Sequence, residues 1–493
     1  MKVRVGRKTT AVAAAGALSL ALAACGSDDG GDSGGDAAGG SDVIDCAPYE
    51  QFGDLSGTSV STYASIVAPE SDAYEASWAP FEDCTGVDVQ GEWSKEFEAQ
   101  IVVRVQSGNP PDIALFPQPG LLQTVVNDTG AVVPVAPETE AVVDENFSED
   151  WKAYGTVDGT YYGFPNSSNS KSFVWYSPGA FADAGYEIPQ TREELLALSD
   201  QIVADNPDGS VKPWCAGISS GDATGWPVTD WIEDKMLRDQ GADYYDQWVA
   251  HDVPFNAPES LEVWDAVGGI LRNNDYVNGG FGDVVTIAST TFQDGGLPIL
   301  DGSCYMYKMA SFYAANWPEG TDVSENGDVF AFYFPANEGS EEKPVLVGSE
   351  FISAFDERPE VTAFTTYLAS ADYANLRAKE GYGFVSANQK LDVNNVDSPI
   401  SKLAAEQFQD PSALIRFDGA DLMPGAVGSG SFWREATAWI AEGKDTQAVL
   451  DSIEQSRASS RSVALLRGFG LIDLHAKVHG QIFETSGLRI QAI

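Results

Sequence analysis

The chain has 493 residues, with 28 basic against 74 acidic side chains and a formal charge of −46. So acidic a surface repels phosphate backbones and anionic headgroups, which argues against nucleic acid and acidic lipid as partners. Hydrophobic residues make up 43%, and the length suits two domains or lobes better than one simple core.

The first 24 residues read as an export signal: Lys2, Arg4, Arg7 and Lys8, then an apolar, Ala-rich stretch over residues 11–22. Leu22-Ala23-Ala24-Cys25 follows and resembles the lipobox of bacterial lipoproteins. That resemblance implies cleavage before Cys25, a lipid on its thiol, and residence at the extracellular face of the cell membrane. An ordinary signal peptide with Cys25 near the cut is the plainer alternative. Residues 26–45 hold seven Gly and six Asp, too little apolar surface to fold. A tether over residues 25–54 is expected, and twenty Gly-rich residues span about 25 Å. No other run is long and apolar enough to cross a membrane.

Along the body, residues 58–66 alternate as a strand, and Tyr74, Trp78 and Phe81 form a helical stripe over 70–82. A short strand is expected at 87–89, a helix at 95–106 and a buried strand at 113–116. Further helices are expected at 193–202, 230–238, 261–271, 361–368, 401–408 and 433–441, with strands at 215–218 and 304–309. Strands alternating with helices predict an α/β protein with parallel sheets covered on both faces. With Cys25 set aside, Cys46, Cys84, Cys215 and Cys304 remain, an even set that an exported chain can oxidise. Of three possible pairings, Cys46–Cys84 and Cys215–Cys304 each close a loop within one part of the chain.

A final acidic helix is expected at 445–456, after which the composition changes. Residues 457–493 carry five basic and two acidic residues, with His475 and His479. A real extension, a partner-binding tail and translation in a shifted frame all fit; the last is preferred, with poor order expected.

Catalytic signatures are weak. Neither a P-loop, a G-x-S-x-G, an H-E-x-x-H nor a G-x-G-x-x-G motif stands in a plausible context, and His251 is the lone histidine of the main body. The cysteine spacing and the acidic runs match no metal loop, so neither metal nor cofactor is expected. Aromatic residues make up 11% and repeatedly adjoin Gly, Pro, Asp or Asn, as at Gly225-Trp226-Pro227 and Asn316-Trp317-Pro318. Rings beside short polar side chains suit a sugar, whose C–H face stacks while its hydroxyls bond to carboxylates and amides. The same pattern also anchors loops to a core. A glycosidase needs only two suitably spaced carboxylates, so an extracellular carbohydrate-active enzyme is the rival reading. A binder of another small solute is a third.

Six segments, in order, resemble the extracellular solute-binding proteins of sugar ABC transporters. The nearest branch binds α-glucosides, and maltose-binding proteins are more distant. The segments fall at residues 95–119, 162–178 (YGFPNSSNSKSFVWYSP), 214–234, 302–318, 345–355 (VLVGSEFISAF) and 415–433 (IRFDGADLMPGAVGSGSFW). The resemblance covers about residues 55–456 and implies a two-lobe periplasmic-binding-protein-like α/β fold, hinged about an interlobe cleft. Lobe one would be 55–169 with 332–382, and lobe two 170–331 with 383–456, the chain passing between them near Ser170, Ala331 and Gly383. The implied activity is sugar capture by lobe closure and delivery to ABC permease subunits, by a monomer without covalent chemistry. Carried onto this chain, the implied ligand residues are Phe116 and Gln118 in lobe one, and Trp226 and Asp230 in lobe two. Phe312 or Trp317, and Phe432 or Trp433, supply further rings. Glu350 stands with a polar set of Arg416, Asp418 and Asp421. Asp230 could equally cap the next helix, and Arg416 could simply pair with an Asp.

Overall fold

Two five-stranded sheets, each with its own hydrophobic packing, organise the chain. The computed structural model describes residues 44–468 apart from 281, 382, 383, 397 and 411. The signal segment, Cys25, most of the Gly/Asp tether and residues 469–493 lie outside the described residues. Both sheets lie within one compact unit.

In the first sheet, strand Ser59–Ala64 lies between Asp88–Trp93 and Ile113–Phe116, all parallel. Phe351–Ala354 adds antiparallel to Ile113–Phe116, and Phe164–Pro165 adds to its far side. Period-two alternation explains the two covered faces. Val60, Ile113 and Leu115 pack with Trp78, Phe81, Phe364 and Tyr367. Tyr63, Ala114 and Phe116 pack with Phe97, Ile101 and Leu122.

The second sheet runs in the order Val277–Asn278, Lys212–Cys215, Cys304–Lys308, Phe173–Tyr176, Phe330–Tyr333. Its first three strands are parallel and the last two pair antiparallel. The expectation of purely parallel sheets is therefore corrected to mixed sheets. The reason is connectivity: segments that arrive from elsewhere in the chain, not through a local helical crossover, add antiparallel at one side.

Between the two lies a small connecting sheet, Ala413–Phe417, Lys343–Gly348 and Asn169–Ser170. Ser170, an expected passage, sits in it. Strand Phe330–Tyr333 belongs wholly to the second sheet, so the chain leaves that sheet after Tyr333, two residues past Ala331. Gly383 is not among the described residues.

Three further differences have plain causes. Ordered structure begins before Leu55: Ile44 and Tyr49 are buried, and Tyr49 meets Phe81 and Tyr367 at 5.3 and 6.2 Å. The disulfide Cys46–Cys84 ties this segment, with its short helix Ala47–Phe52, to helix Glu70–Thr85. The strand expected at 215–218 ends at Cys215, which bonds to Cys304 on the neighbouring strand, the second expected pairing. The last helix runs Thr446–Gly468, straight through the compositional break at Arg457. Arg457 is buried, and its guanidinium donates to the Val249 carbonyl. The tail expected from residue 457 therefore opens as helix continuous with the body.

Candidate functional site

Strands Ser59–Ala64 and Ile113–Phe116 end at one side of the first sheet, and the loops that follow them face the second sheet. Outside the carboxyl ends of parallel strands, no strand fills the crevice, and ligands settle there. A cavity of about 170 Å³ lies at this place. Residues 65–70, Glu98, Pro117 and Gln118 line it from one side, and Ser220, Ala223, Trp226, Phe292 and Phe312 from the other. Asn169, Lys171, Gly348, Glu350, Asp421 and Trp433 line it between them. Gly348 has no room for a side chain: a Cβ there would come 2.9 Å from Lys171 Cε and 3.1 Å from Asn169 Oδ1.

Six expected ligand residues therefore meet at one cavity: Gln118, Trp226, Phe312, Glu350, Asp421 and Trp433. Trp226 opens helix Trp226–Gln240, with Pro227 fixing the first turn. Its ring centre lies 5.0 Å from Phe292 and 5.9 Å from Phe312. The three rings form an apolar wall, half-buried and open to a ligand.

The other six lie elsewhere. Phe116 is fully buried on the face of its strand that meets Phe97, 5.6 Å away. Trp317 packs against Tyr313 and Trp175 at 5.0 and 5.7 Å. Phe432 is enclosed by Phe255, Trp248 and Trp264. Arg416 points the other way and pairs with Asp246 at 2.7 Å. There it lines a second cavity of about 1140 Å³, whose walls include Trp151, Tyr154 and His251. Asp230 neither lines the small cavity nor caps a helix. The helix starts at Trp226, four residues earlier, so Asp230 lies inside it and meets Lys171 at 3.1 Å. Asp418 caps the short helix Gly419–Leu422 and accepts from Lys171 at 2.6 Å.

Lys171 is thus the centre of a buried charge cluster that sequence reading missed. Asp418, Asp230 and Asp421 surround its ammonium at 2.6, 3.1 and 3.6 Å. Glu233 stands behind, accepting from the Gly419 and Ala420 amides and the Tyr245 hydroxyl. The available signal was a lysine among Ser and Asn directly before the apolar run Phe173–Tyr176. Glu350 finds no Arg416. Instead Ser167 donates to its carboxylate, and the buried Arg377 guanidinium draws its pKa down against the larger rise from burial.

Four cavity-lining residues carry buried polar atoms without a hydrogen-bond partner among the described residues. These are Gln118 Oε1, Glu98 Oε2, Asn169 Oδ1 and Trp433 Nε1. Three are acceptors in the state written and one is a donor. Buried polar atoms are normally satisfied, and the smaller cavity collects these exceptions beside its ring wall. Atoms of these kinds pair with hydroxyl or amide groups. Among the described residues no group of three or more His, Cys, Asp or Glu side chains is arranged to hold a metal.

Burial pushes Glu70, at the cavity, up to about 8, with the Glu350 charge adding to the rise. Burial pushes Asp230 up to about 7; Lys171 opposes this and Asp418 adds to it. Between the ordinary carboxyl range and these values the folded chain binds more protons than the unfolded chain. Stability is therefore greatest at the acid end of that window and falls as pH rises. Lys235, lowered to about 7 by burial, acts in the opposite sense only above that pH. The midpoint of urea unfolding is expected to fall from pH 5 to pH 7. A flat or rising midpoint over that interval contradicts these raised carboxyls.

The sequence model of the bacterial extracellular solute-binding protein family matches residues 63–375. The osmoprotective compounds-binding protein GgtB of Synechocystis is 36% identical over 407 residues, 82% of this chain and 93% of that protein. The alpha-glucosides-binding periplasmic protein AglE of Rhizobium meliloti is 34% identical over 414 residues, 82% of this chain and 88% of that one. The fold is similar to the solved structure of the bacterial solute receptor AcbH, described with an exclusive preference for β-D-galactopyranose. There the TM-score is 0.67 at 18% identity, covering 82% of this chain and 99% of that one. Maltose-bound MalE3 of T. maritima gives a TM-score of 0.62 at 13% identity, covering 82% and 99%.

Proposed function

Because the chain belongs to the bacterial extracellular solute-binding protein family, we propose that it captures an α-glucoside between its two sheets and delivers it to an ABC permease. The observation that carries this reading is the set of four unpartnered polar atoms of cavity-lining residues beside the ring wall of Trp226, Phe292 and Phe312. A glucoside stacks its C–H face on a ring and donates hydroxyls to Gln118, Glu98 and Asn169. Trp433 donates to a sugar oxygen. The two sheets, with the connecting sheet as hinge, form the two lobes. Ligand favours closure because its contacts from both lobes are complete only when they meet. The reading involves no covalent chemistry. The family and the sequence of residues 22–25 together support export and tethering through a lipid on Cys25, which holds the carrier near its permease. Among the described residues no helix is long and apolar enough to cross a membrane.

Titration calorimetry against maltose, trehalose, sucrose and short maltodextrins tests the reading, with chromatography of the recovered sugars. Saturable binding with unaltered sugar is the expected result. Hydrolysis of a disaccharide would replace it with the glycosidase reading, which the carboxyl groups of Glu98, Glu350 and Asp421 at the cavity keep in view.

A further inference from the structure

A continuous buried ladder of charge runs from the cavity to the passage between the second sheet and the connecting sheet. Its cavity end is Lys171 with Asp421. Lys308 stands beneath, its ammonium donating to the backbone carbonyls of Lys171 and Asp230, both at 3.2 Å. The same ammonium lies 3.2 Å from the Asp234 carboxylate. Asp234 pairs with Arg238 one helical turn on, and neither side chain is exposed.

Beyond its own helix the Arg238 guanidinium then donates to three carbonyls: Phe334 at 2.6 Å, Pro335 at 3.1 Å and Pro344 at 2.9 Å. Phe334 and Pro335 directly follow the last strand of the second sheet. Pro344 is in the connecting sheet. One rigid fork therefore spans both ends of the passage. Ser172 braces the same place. Its hydroxyl donates to Asp234 at 2.9 Å and accepts from the Leu346 amide at 2.9 Å. Its own carbonyl accepts from the Phe334 amide at 2.8 Å.

A network this buried has few alternative arrangements, because each broken contact leaves a charge without water or partner. It transmits position instead of absorbing it. Resting on the sugar-capture reading, we propose that Arg238, Asp234 and Ser172 are positioning residues for lobe closure. They hold the passage over residues 334–344 in register with Lys171, so that a hydroxyl engaging Asp421 sets the angle between the lobes. None of the three lines the cavity, so their effect on ligand is exerted through the hinge.

The experiment compares the full chain with Ser172→Ala and Arg238→Lys, using maltose, trehalose and sucrose as probes. Calorimetry reads affinity, and small-angle scattering with and without sugar reads closure. Each variant is expected to bind about 5–10-fold more weakly and, at saturation, to remain a mixture of open and closed forms. Wild-type affinity and complete closure in folded variants overturn the proposal. Ser172→Ala removes one oxygen and leaves the ion pairs in place, so it decides the matter should Arg238→Lys unfold. If the unmodified chain binds none of the three sugars, the sugar reading itself falls and this coupling with it.

Discussion

Replacing Trp226 with alanine is expected to weaken sugar binding by roughly 30–150-fold, the equivalent of about 2–3 kcal/mol at a ring that anchors a ligand. The ring is half-buried at the cavity, at the head of a helix, with Phe292 and Phe312 on one side and the Lys171 ammonium 5.6 Å from its centre. Removing it takes away the stacking face and lets water into a site whose polar atoms depend on dry surroundings. The helix itself has another start, since Pro227 and the Gly225 turn remain. Circular dichroism is therefore expected to be unchanged and the unfolding midpoint little lowered. Trp226→Phe keeps a smaller stacking face and should fall between. Calorimetry on the three proteins checks the series, and an alanine variant within threefold of wild type removes Trp226 from the site.

Replacing Lys171 with methionine is expected to cost about 3–5 kcal/mol of stability, the range for stripping one partner from a buried ion group. Methionine keeps the apolar stem, so the loss comes from charge and not from a void. Asp418 is the residue most exposed to the change. Burial alone would raise its pKa, and Lys171 holds it below the usual carboxylate range. Without that ammonium, Asp418, Asp230 and Asp421 face one another with Lys308, which bonds the Asp230 carbonyl, as the remaining nearby positive charge. Protonation relieves part of this, so the variant should be hurt more at pH 8 than at pH 5. Urea unfolding at both values provides the measurement. A loss below about 1 kcal/mol would mean that the cluster is already neutralised by protons. Ligand affinity should also drop sharply, because Asp421 and Asn169 both border the Lys171 side chain at the cavity.

Sequence reading brought Trp226 to the cavity through the family likeness, with Gly-Trp-Pro as a local pattern that fitted a loop anchor as well, and it expected the helix to begin at 230 instead of at Trp226. It found Gln118, Glu350, Asp421 and Trp433 through the ordered likeness of segments to a family. It misplaced Phe116 and Phe432 for one physical reason. A ring one residue along a strand or helix faces a different way, and the choice between cleft and core depends on what packs there. Arg416 shows the same limit within a strand. Its neighbour Phe417 is buried, while Arg416 turns out to Asp246.

By itself, the sequence determined the acidic composition, much of the helix–strand order and an even set of four cysteines, one of whose three possible pairings the structure shows. These follow from composition, periodicity and loop length, which are local or nearly so. It also determined that large rings stand beside short polar groups, a pattern that suits a ligand or a loop anchor. Only the tertiary structure decided which of them meet. Lys171 lies 59 residues from Asp230 and 247 from Asp418; the connecting sheet brings Lys171 to Asp418, and helix Trp226–Gln240, packed on its strand Lys343–Gly348, adds Asp230. The mixed direction of the sheets has the same origin. Burial then decided the chemistry: a lysine or carboxylate is a solvated charge anywhere along the chain, and becomes part of a site only where folding removes its water.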